Sequence, residues 1–251
     1  MPDRVMLITG ASRGIGAATA RLAAARGYAV VVNYLARQDA AEAVAADVRR
    51  AGRRALTIQA DIGQPDDVER LFQSVDAEFG RLDVFFNNAG IVNRAAKFVD
   101  ITPPRLQQIL AVNTTGAFLA AQEAVRRMST RLGGGGGVIV NMSSLAAKLG
   151  GAAESTDYAF SKGAIDTLTV GLAKELASEG IRVNAVRPGL IETDIQWDFG
   201  IGDRVGKYKD LVPMRRGGTP QEVAEAVLWL CSDQASYITG ILLDVSGGRG
   251  L

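Results

Sequence analysis

The stretch Val5-Met6-Leu7-Ile8-Thr9-Gly10-Ala11-Ser12-Arg13-Gly14-Ile15-Gly16 decides the architecture. An unbroken apolar run stops at Thr9, three glycines follow at 10, 14 and 16, and an alanine-rich helical pattern then continues to residue 26. An apolar run without alternation reads as a strand buried on both faces. Glycines at its carboxyl end permit a tight turn, let a ligand approach the backbone, and present the free amides of a helix start to an anion. The spacing is G-x-x-x-G-x-G rather than G-x-G-x-x-G, but the same physics serves a pyrophosphate. Gly10, Ser12, Arg13, Gly14, Ile15 and Gly16 are therefore the first candidate contacts to a dinucleotide.

Outward from this stretch, similar apolar runs recur at 29–32, 55–58, 82–86, 138–140, 181–186 and 241–245. Helical patterns lie between them at 14–26, 39–51, 65–79, 104–131, 157–178 and 220–232. Strand–helix alternation predicts an α/β fold of Rossmann type, a doubly wound parallel sheet of about seven strands with helices on both faces. One domain is expected over residues 1–251. Pro65 followed by Asp66 and Asp67, and Thr219-Pro220 followed by Glu222, mark helix starts. The five glycines at 133–137 read as a loose helix-to-strand turn rather than a linker. Residues 195–218 differ, because Trp197, Phe199, Tyr208 and Met214 fall among glycines without a period. A long irregular segment inside a compact fold points to function, and this one is expected to be a substrate lid. Its aromatics read either as pocket lining or as packing within the lid or against another subunit.

Composition narrows the chemistry. Twenty-eight Lys and Arg against 27 Asp and Glu leave a net charge of +1, which argues against a nucleic-acid partner. The single Cys231 rules out an intramolecular disulfide and fits a reducing compartment. No membrane span or basic leader is visible, so a cytoplasmic protein without a membrane partner is expected. The chain has no His, which removes Ser-His-Asp hydrolysis, His-ligated zinc and any His general base, and no metal is expected. A proton donor must then be Tyr, Lys, Asp, Glu or water.

Against that background Tyr158-Ala159-Phe160-Ser161-Lys162 stands out. Tyr and Lys at i and i+4 share a helix face, and a nearby cation favours a phenolate. Met142-Ser143-Ser144 closes a strand at its carboxyl end, where such sheets bind ligands. Asn87-Asn88-Ala89-Gly90 ends another, with residues small enough to admit a flat ring. Twenty residues beyond Gly14, where an acidic residue would hold the ribose of NAD, the chain reads Asn33-Tyr34-Leu35-Ala36-Arg37 without a carboxylate. Asp39 reads as the cap of the next helix. Arg13 and Arg37 read either as solvated cations or as partners of a 2′-phosphate. The expected cofactor is NADP(H), with NAD(H) second, and an Asp at position 33 would reverse the order.

Taken in order, these motifs resemble the classical short-chain dehydrogenases/reductases, in particular the 3-oxoacyl-carrier-protein reductases, over essentially the whole chain. The matches are Thr9 to Gly16, Asn87 to Gly90, Asn113, Ser144, the pair Tyr158 and Lys162, and the turn Pro188-Gly189. The resemblance implies that Tyr158 exchanges a proton with the substrate oxygen, Lys162 lowers the pKa of that Tyr and binds the nicotinamide ribose, Ser144 orients the substrate, and Asn113 holds a water. It further implies cofactor contacts from Asp61 and Ile62 at the adenine, from Asn88, Ala89 and Gly90 under the ribose, and from Pro188, Gly189, Ile191 and Thr193 around the carboxamide. Asn33 and Arg37 belong to the same candidate site at the adenosine. The implied activity is hydride transfer between the nicotinamide and a small carbonyl or secondary alcohol. A dinucleotide-binding sensor or scaffold without catalysis is the alternative, and the presence of both Tyr158 and Lys162 speaks against it. Helix 157–178 carries Phe160, Ile165, Leu168, Val170, Leu172 and Leu176 on more than one face, which predicts a subunit contact and, with the resemblance, a homotetramer, with a dimer as the alternative. Arg126, Arg127 and Arg131 read as a solvated helix end or as a dock for an acidic acyl carrier.

Overall fold

The computed structural model describes residues 3–251, apart from the side chains of Gln196 and Trp197. Strands β1 (Arg4–Ile8), β2 (Tyr28–Tyr34), β3 (Ala55–Gln59), β4 (Val84–Asn87), β5 (Gly137–Met142), β6 (Ile181–Pro188) and β7 (Leu242–Val245) form one sheet. Its order is β3-β2-β1-β4-β5-β6-β7, and every pairing is parallel. The order reverses direction at β1, so the loops leaving β1 and β4 turn to opposite faces and open a crevice between them. In register, Ile8 lies between Val32 of β2 and Phe86 of β4.

The helices are α1 (Gly14–Ala25), α2 (Gln38–Arg50), α3 (Pro65–Phe79), α4 (Pro103–Leu110), α5 (Ala117–Met128), α6 (Ala146–Leu149), α7 (Thr156–Leu176), α8 (Ile195–Asp198), α9 (Arg204–Tyr208) and α10 (Pro220–Cys231). Side chains alternate across each strand. Met6 and Ile8 of β1 therefore join a core with α1, α2 and α10. Val5 and Leu7 join the opposite core with α3, α5 and α7. Burial on both faces is the reason the central strands read as continuous apolar runs, whereas the edge strands β3 and β7 are only partly covered. Thr219 and Glu222 form a reciprocal capping box at the start of α10.

Four sequence expectations need adjustment. The helix expected over 104–131 runs from Pro103 to Met128 but carries a π turn within it. Between α4 and α5 a wide π turn occupies Ala111–Gly116, and a 3-10 turn covers Thr130–Leu132. The extra residue in a π turn has no hydrophobic signature. A Cβ on Gly116 would lie 2.0 Å from the carbonyl oxygen of Ile62, so the chain passes close to the segment after β3 and only glycine fits there.

The glycine run is not loose. A Cβ on Gly134 would meet the Arg127 carbonyl oxygen at 2.3 Å, and one on Gly136 the Gly180 carbonyl oxygen at 2.7 Å. Asp39 is not a cap. Arg37 takes that position, and Asp39 sits in the first turn of α2, where its charge faces the positive end of the helix. The three arginines near the end of α5 are engaged. Arg127 pairs with Asp76 at 2.7 Å and Glu123 at 2.6 Å and covers the Phe72 ring, Arg126 pairs with Glu123, and Arg131 pairs with Glu179.

Cys231 is buried at the end of α10, and burial pushes its thiol up to about 12. Among the described residues, no helix is long and apolar enough to cross a membrane.

Candidate active site

A cavity of about 730 Å³ runs across the carboxyl ends of the central strands, from the loop after β1 to the segment after β6. Gly10, Ser12, Arg13, Gly14, Ile15 and Gly16 line its floor. A Cβ on Gly16 would lie 2.7 Å from the Gly10 oxygen and 2.8 Å from Nδ2 of Asn88, so the start of α1 is pressed onto the end of β4. Asn88 holds that junction, with Nδ2 donating to the Thr9 carbonyl at 2.7 Å and the Gly10 carbonyl at 3.2 Å. The amides of Asn88 and Ala89 donate to the Thr9 hydroxyl at 2.9 and 3.0 Å. Two features fit a nicotinamide dinucleotide here. The loop leaves backbone close enough for a pyrophosphate at a helix start. Across the cleft from Gly14, the buried Thr193 hydroxyl has no hydrogen-bond partner among the described residues. Pro188, Gly189 and Ile191 line the same wall as Thr193.

Asp61, Ile62, Asn33 and Arg37 line the cavity beside the glycine loop. Asp61 turns one carboxylate oxygen back to the Gly63 amide at 2.8 Å. Arg37 and Arg13 converge, because Asp194 lies 3.6 Å from the first and 3.7 Å from the second, and Asp198 is 3.4 Å from Arg13. Asn33 faces inward. It is 1% exposed, its Oδ1 accepts from the Gly10 amide at 3.1 Å, and its Nδ2 donates to the carbonyls of Ile58 and Ala60 at 3.3 and 3.1 Å. Its side chain braces β2, β3 and the glycine loop.

The reactive groups meet midway. Tyr158 in the first turn of α7 faces Ser144 across the cavity. Ser144, whose Oγ accepts from the Ala146 amide at 3.1 Å, lines the cavity. Its neighbour Ser143 points the other way, donating to Asp166 at 2.7 Å from a buried position. Lys162 lies one turn beyond Tyr158 and is buried, with Nζ 2.7 Å from the Met142 carbonyl and 5.7 Å from the centre of the Tyr158 ring. Burial brings the Lys162 ammonium down to about 8, with Asp166 acting in the opposite sense. Burial pushes the Tyr158 phenol above its ordinary value. The Ser144 hydroxyl and the Arg204 guanidinium favour the phenolate against it.

Asn113 sits in the π turn, behind the cavity wall. Its Oδ1 accepts from the Ile91 amide at 2.8 Å, and its Nδ2 donates to the Ile91 carbonyl at 2.9 Å and to Ser161 at 3.1 Å. A Cβ on Gly90 would lie 3.3 Å from Lys162 Nζ and 3.4 Å from Asn113 Oδ1, so Gly90 keeps that corner open.

A family model described as enoyl-(acyl carrier protein) reductase matches residues 10–249. The Escherichia coli (strain K12) protein named uncharacterized oxidoreductase YgfF is 47% identical over 245 residues, 98% of this chain and 99% of its own. The chain belongs to the short-chain dehydrogenase/reductase family. Among solved structures, the short-chain dehydrogenase from Burkholderia cenocepacia J2315 in complex with NADP is 35% identical with a TM-score of 0.92, covering 100% of this chain and 99% of that one. The 3-ketoacyl-(acyl-carrier-protein) reductase from Brucella melitensis complexed with NADH is 34% identical with a TM-score of 0.91, at 100% and 99% coverage. This short-chain dehydrogenase/reductase is an oxidoreductase whose cofactor is a nicotinamide dinucleotide.

Sequence reasoning missed part of the cavity. Glu154, Arg204 and Arg249 line it beside Phe199 and Tyr208. They come from the turn before α7, from α9 and from the loop after β7, and no local spacing links them. Phe199 is buried edge-on to Tyr158, with ring centres 6.3 Å apart. The side chain of Trp197, the other aromatic expected nearby, lies outside the described residues.

The inward amide of Asn33 changes one expectation. An Asp there would point a carboxylate at the carbonyls of Ile58 and Ala60, and no donor would remain for them. Asn33→Asp is expected to lower stability by about 1–3 kcal/mol in urea unfolding rather than to switch the cofactor. Full stability together with a gain of NAD(H) use would show that the side chain turns to the adenosine ribose.

Proposed function

We propose that this oxidoreductase is an NADP(H)-dependent reductase of ketones, acting in a single domain with residues 195–218 as its lid. The observation that carries the reading is Tyr158, lining the cavity with Ser144 and one turn before the buried Lys162, with its phenol held above the ordinary value. A phenol of raised pKa is protonated at neutral pH, and that is the form that gives a proton to a carbonyl oxygen. Ser144 and Tyr158 together grip the substrate oxygen, and Tyr158 releases its proton as negative charge builds there. Lys162 and Asn113 stand behind them at Gly90, where the ammonium favours the phenolate left after transfer and faces the ribose, and Asn113 orients the path along which Tyr158 regains its proton. A bound nicotinamide supplies the hydride. The glycine loop, Asp61, Ile62, Asn88, Ala89, Pro188, Gly189, Ile191 and Thr193 would hold that cofactor. Phe199, lying edge-on to Tyr158, keeps water from the phenol. The single buried Cys231 suits the cytoplasm as the place of action. Tyr158→Phe is expected to cut ketone reduction by about 10²–10⁴-fold while cofactor affinity, read by fluorescence titration, stays near wild type. Retained turnover would remove Tyr158 from its role.

The preference for NADP(H) rests on the convergence of Arg13 and Arg37. Their carboxylate neighbours Asp194 and Asp198 are exposed, and such pairs contribute little. A 2′-phosphate would compete with Asp194 for the two guanidiniums through charge-assisted bonds. Arg37→Ala and Arg13→Ala are each expected to lower kcat/KM for NADPH by about ten- to a hundredfold and far less for NADH. Asp194→Asn, which removes the competing anion, should raise it. Equal losses with both cofactors would mean that the arginines only brace their loops.

We propose further that the protein is a homotetramer, with a dimer as the alternative. Phe160 on α7 is 62% exposed and Phe118 on α5 is 51% exposed, a face that a second copy of the same helices would cover. Light scattering at micromolar concentration is expected to give four times the 26.4 kDa chain mass, and Phe160→Asp to lower it. A monomeric wild type would overturn this.

A further inference from the structure

The substrate end of the cavity carries charge that proton and hydride transfer do not use. Arg204 lies with its guanidinium carbon 4.2 Å from the centre of the Phe199 ring and pairs with Glu154 at 3.1 Å. The Tyr208 hydroxyl also donates to Glu154. Arg249 follows Gly247 and Gly248, both at positive φ, which bend the loop after β7 towards the cavity. Its guanidinium carbon is 5.9 Å from the centre of the Tyr208 ring, and among the described residues no carboxylate lies within ion-pair distance of it. The other carboxylates on the cavity, Asp61 and Asp194, stand at the glycine-loop end beside Arg13 and Arg37.

Arg204 is paired with Glu154, whereas Arg249 stands in the same half-buried corner with no carboxylate at ion-pair distance among the described residues. Burial and the neighbouring Arg204 both disfavour the charged form of Arg249. An anion placed between the two would relieve that cost, and it would be poorly screened by salt there. A guanidinium fork takes both oxygens of a carboxylate. Phe199, Tyr208 and Leu149 supply apolar walls between this corner and the phenol.

We propose that the substrate is an oxo- or hydroxy-carboxylate whose carboxylate docks on Arg249 beside Arg204 while its carbonyl lies at Tyr158 and Ser144. The proposal rests on the reading of the site as a ketone reductase. It makes Arg249 the residue that selects charged over neutral substrates.

The test compares 4-oxopentanoate, 5-oxohexanoate and 6-oxoheptanoate with their amides, reduced by the wild-type enzyme with NADPH or NADH. At least one acid is expected to exceed its amide in kcat/KM by about tenfold or more. Arg249→Gln should bring that ratio close to one, and Arg249→Lys should keep part of it. Calorimetric titration of the NADP⁺-loaded enzyme with hexanoate and hexanamide reads the same corner without turnover. Hexanoate should bind more tightly than hexanamide, and Arg249→Gln should weaken it about tenfold. Acids and amides that perform alike, or a loss in Arg249→Gln shared equally by both, overturn the docking site and leave ketone reduction standing. Hexanoate held through Arg249 without reduction of any ketone would keep the docking site and sink the reductase reading.

Discussion

The carboxyl end of a parallel sheet poses one problem on which everything else here depends. Where neighbouring strands part to send their loops to opposite faces, their last carbonyls and amides lose their ladder partners, and burying them unpaired costs free energy. This chain answers with side-chain amides. Asn33 takes two carbonyls at the end of β3 and one amide of the glycine loop, Asn88 takes the Thr9 and Gly10 carbonyls, and Asn113 closes both polar groups of Ile91. Asn87 bridges the Ala117 carbonyl and Asn141 in the same layer. Each bond ties two loops together, so the crevice has a fixed floor before any ligand enters.

That floor sets the electrostatics above it. Lys162 is sunk low enough for burial to shift its ammonium, and Gly90 keeps the space beside its Nζ clear of a side chain. Tyr158 stands one turn earlier, against Ser144 and Phe199. The N-terminal turn of α7 is itself pinned by Asp157, which is buried and accepts two bonds from Arg105 of α4 at 2.7 and 3.2 Å. A buried pair of this kind is costly to break, and it keeps the helix that carries Tyr158 in a single register.

Much of this was readable in the residues. The central strands were visible because double burial leaves continuous apolar runs, and the glycine loop because it follows the first of them; Ser144, Tyr158 and Lys162 were singled out by the resemblance to the family. What stayed hidden has a common cause. The π turn at Ala111–Gly116 adds a residue to a turn without altering polarity, so the helix looked continuous. Asn33 was read by its position along the chain, whereas its direction is set by two carbonyls on another strand. The tight packing of Gly136 depends on Gly180, which is distant in sequence, and that of Gly134 on how the chain folds back onto the end of α5 at Arg127. Arg204, Arg249 and Glu154 meet only because three separate loops end at one corner.

The thiol of Cys231 has a practical consequence. Sunk at the end of α10 and shifted to about 12, it offers almost no thiolate at neutral pH, and the thiolate is the reactive form. The wild-type chain therefore already serves as a cysteine-free background for labelling chemistry. A single cysteine introduced on an exposed turn between α8 and α9 would take a fluorophore or spin label alone, reporting on the surroundings of that segment without first rebuilding the core.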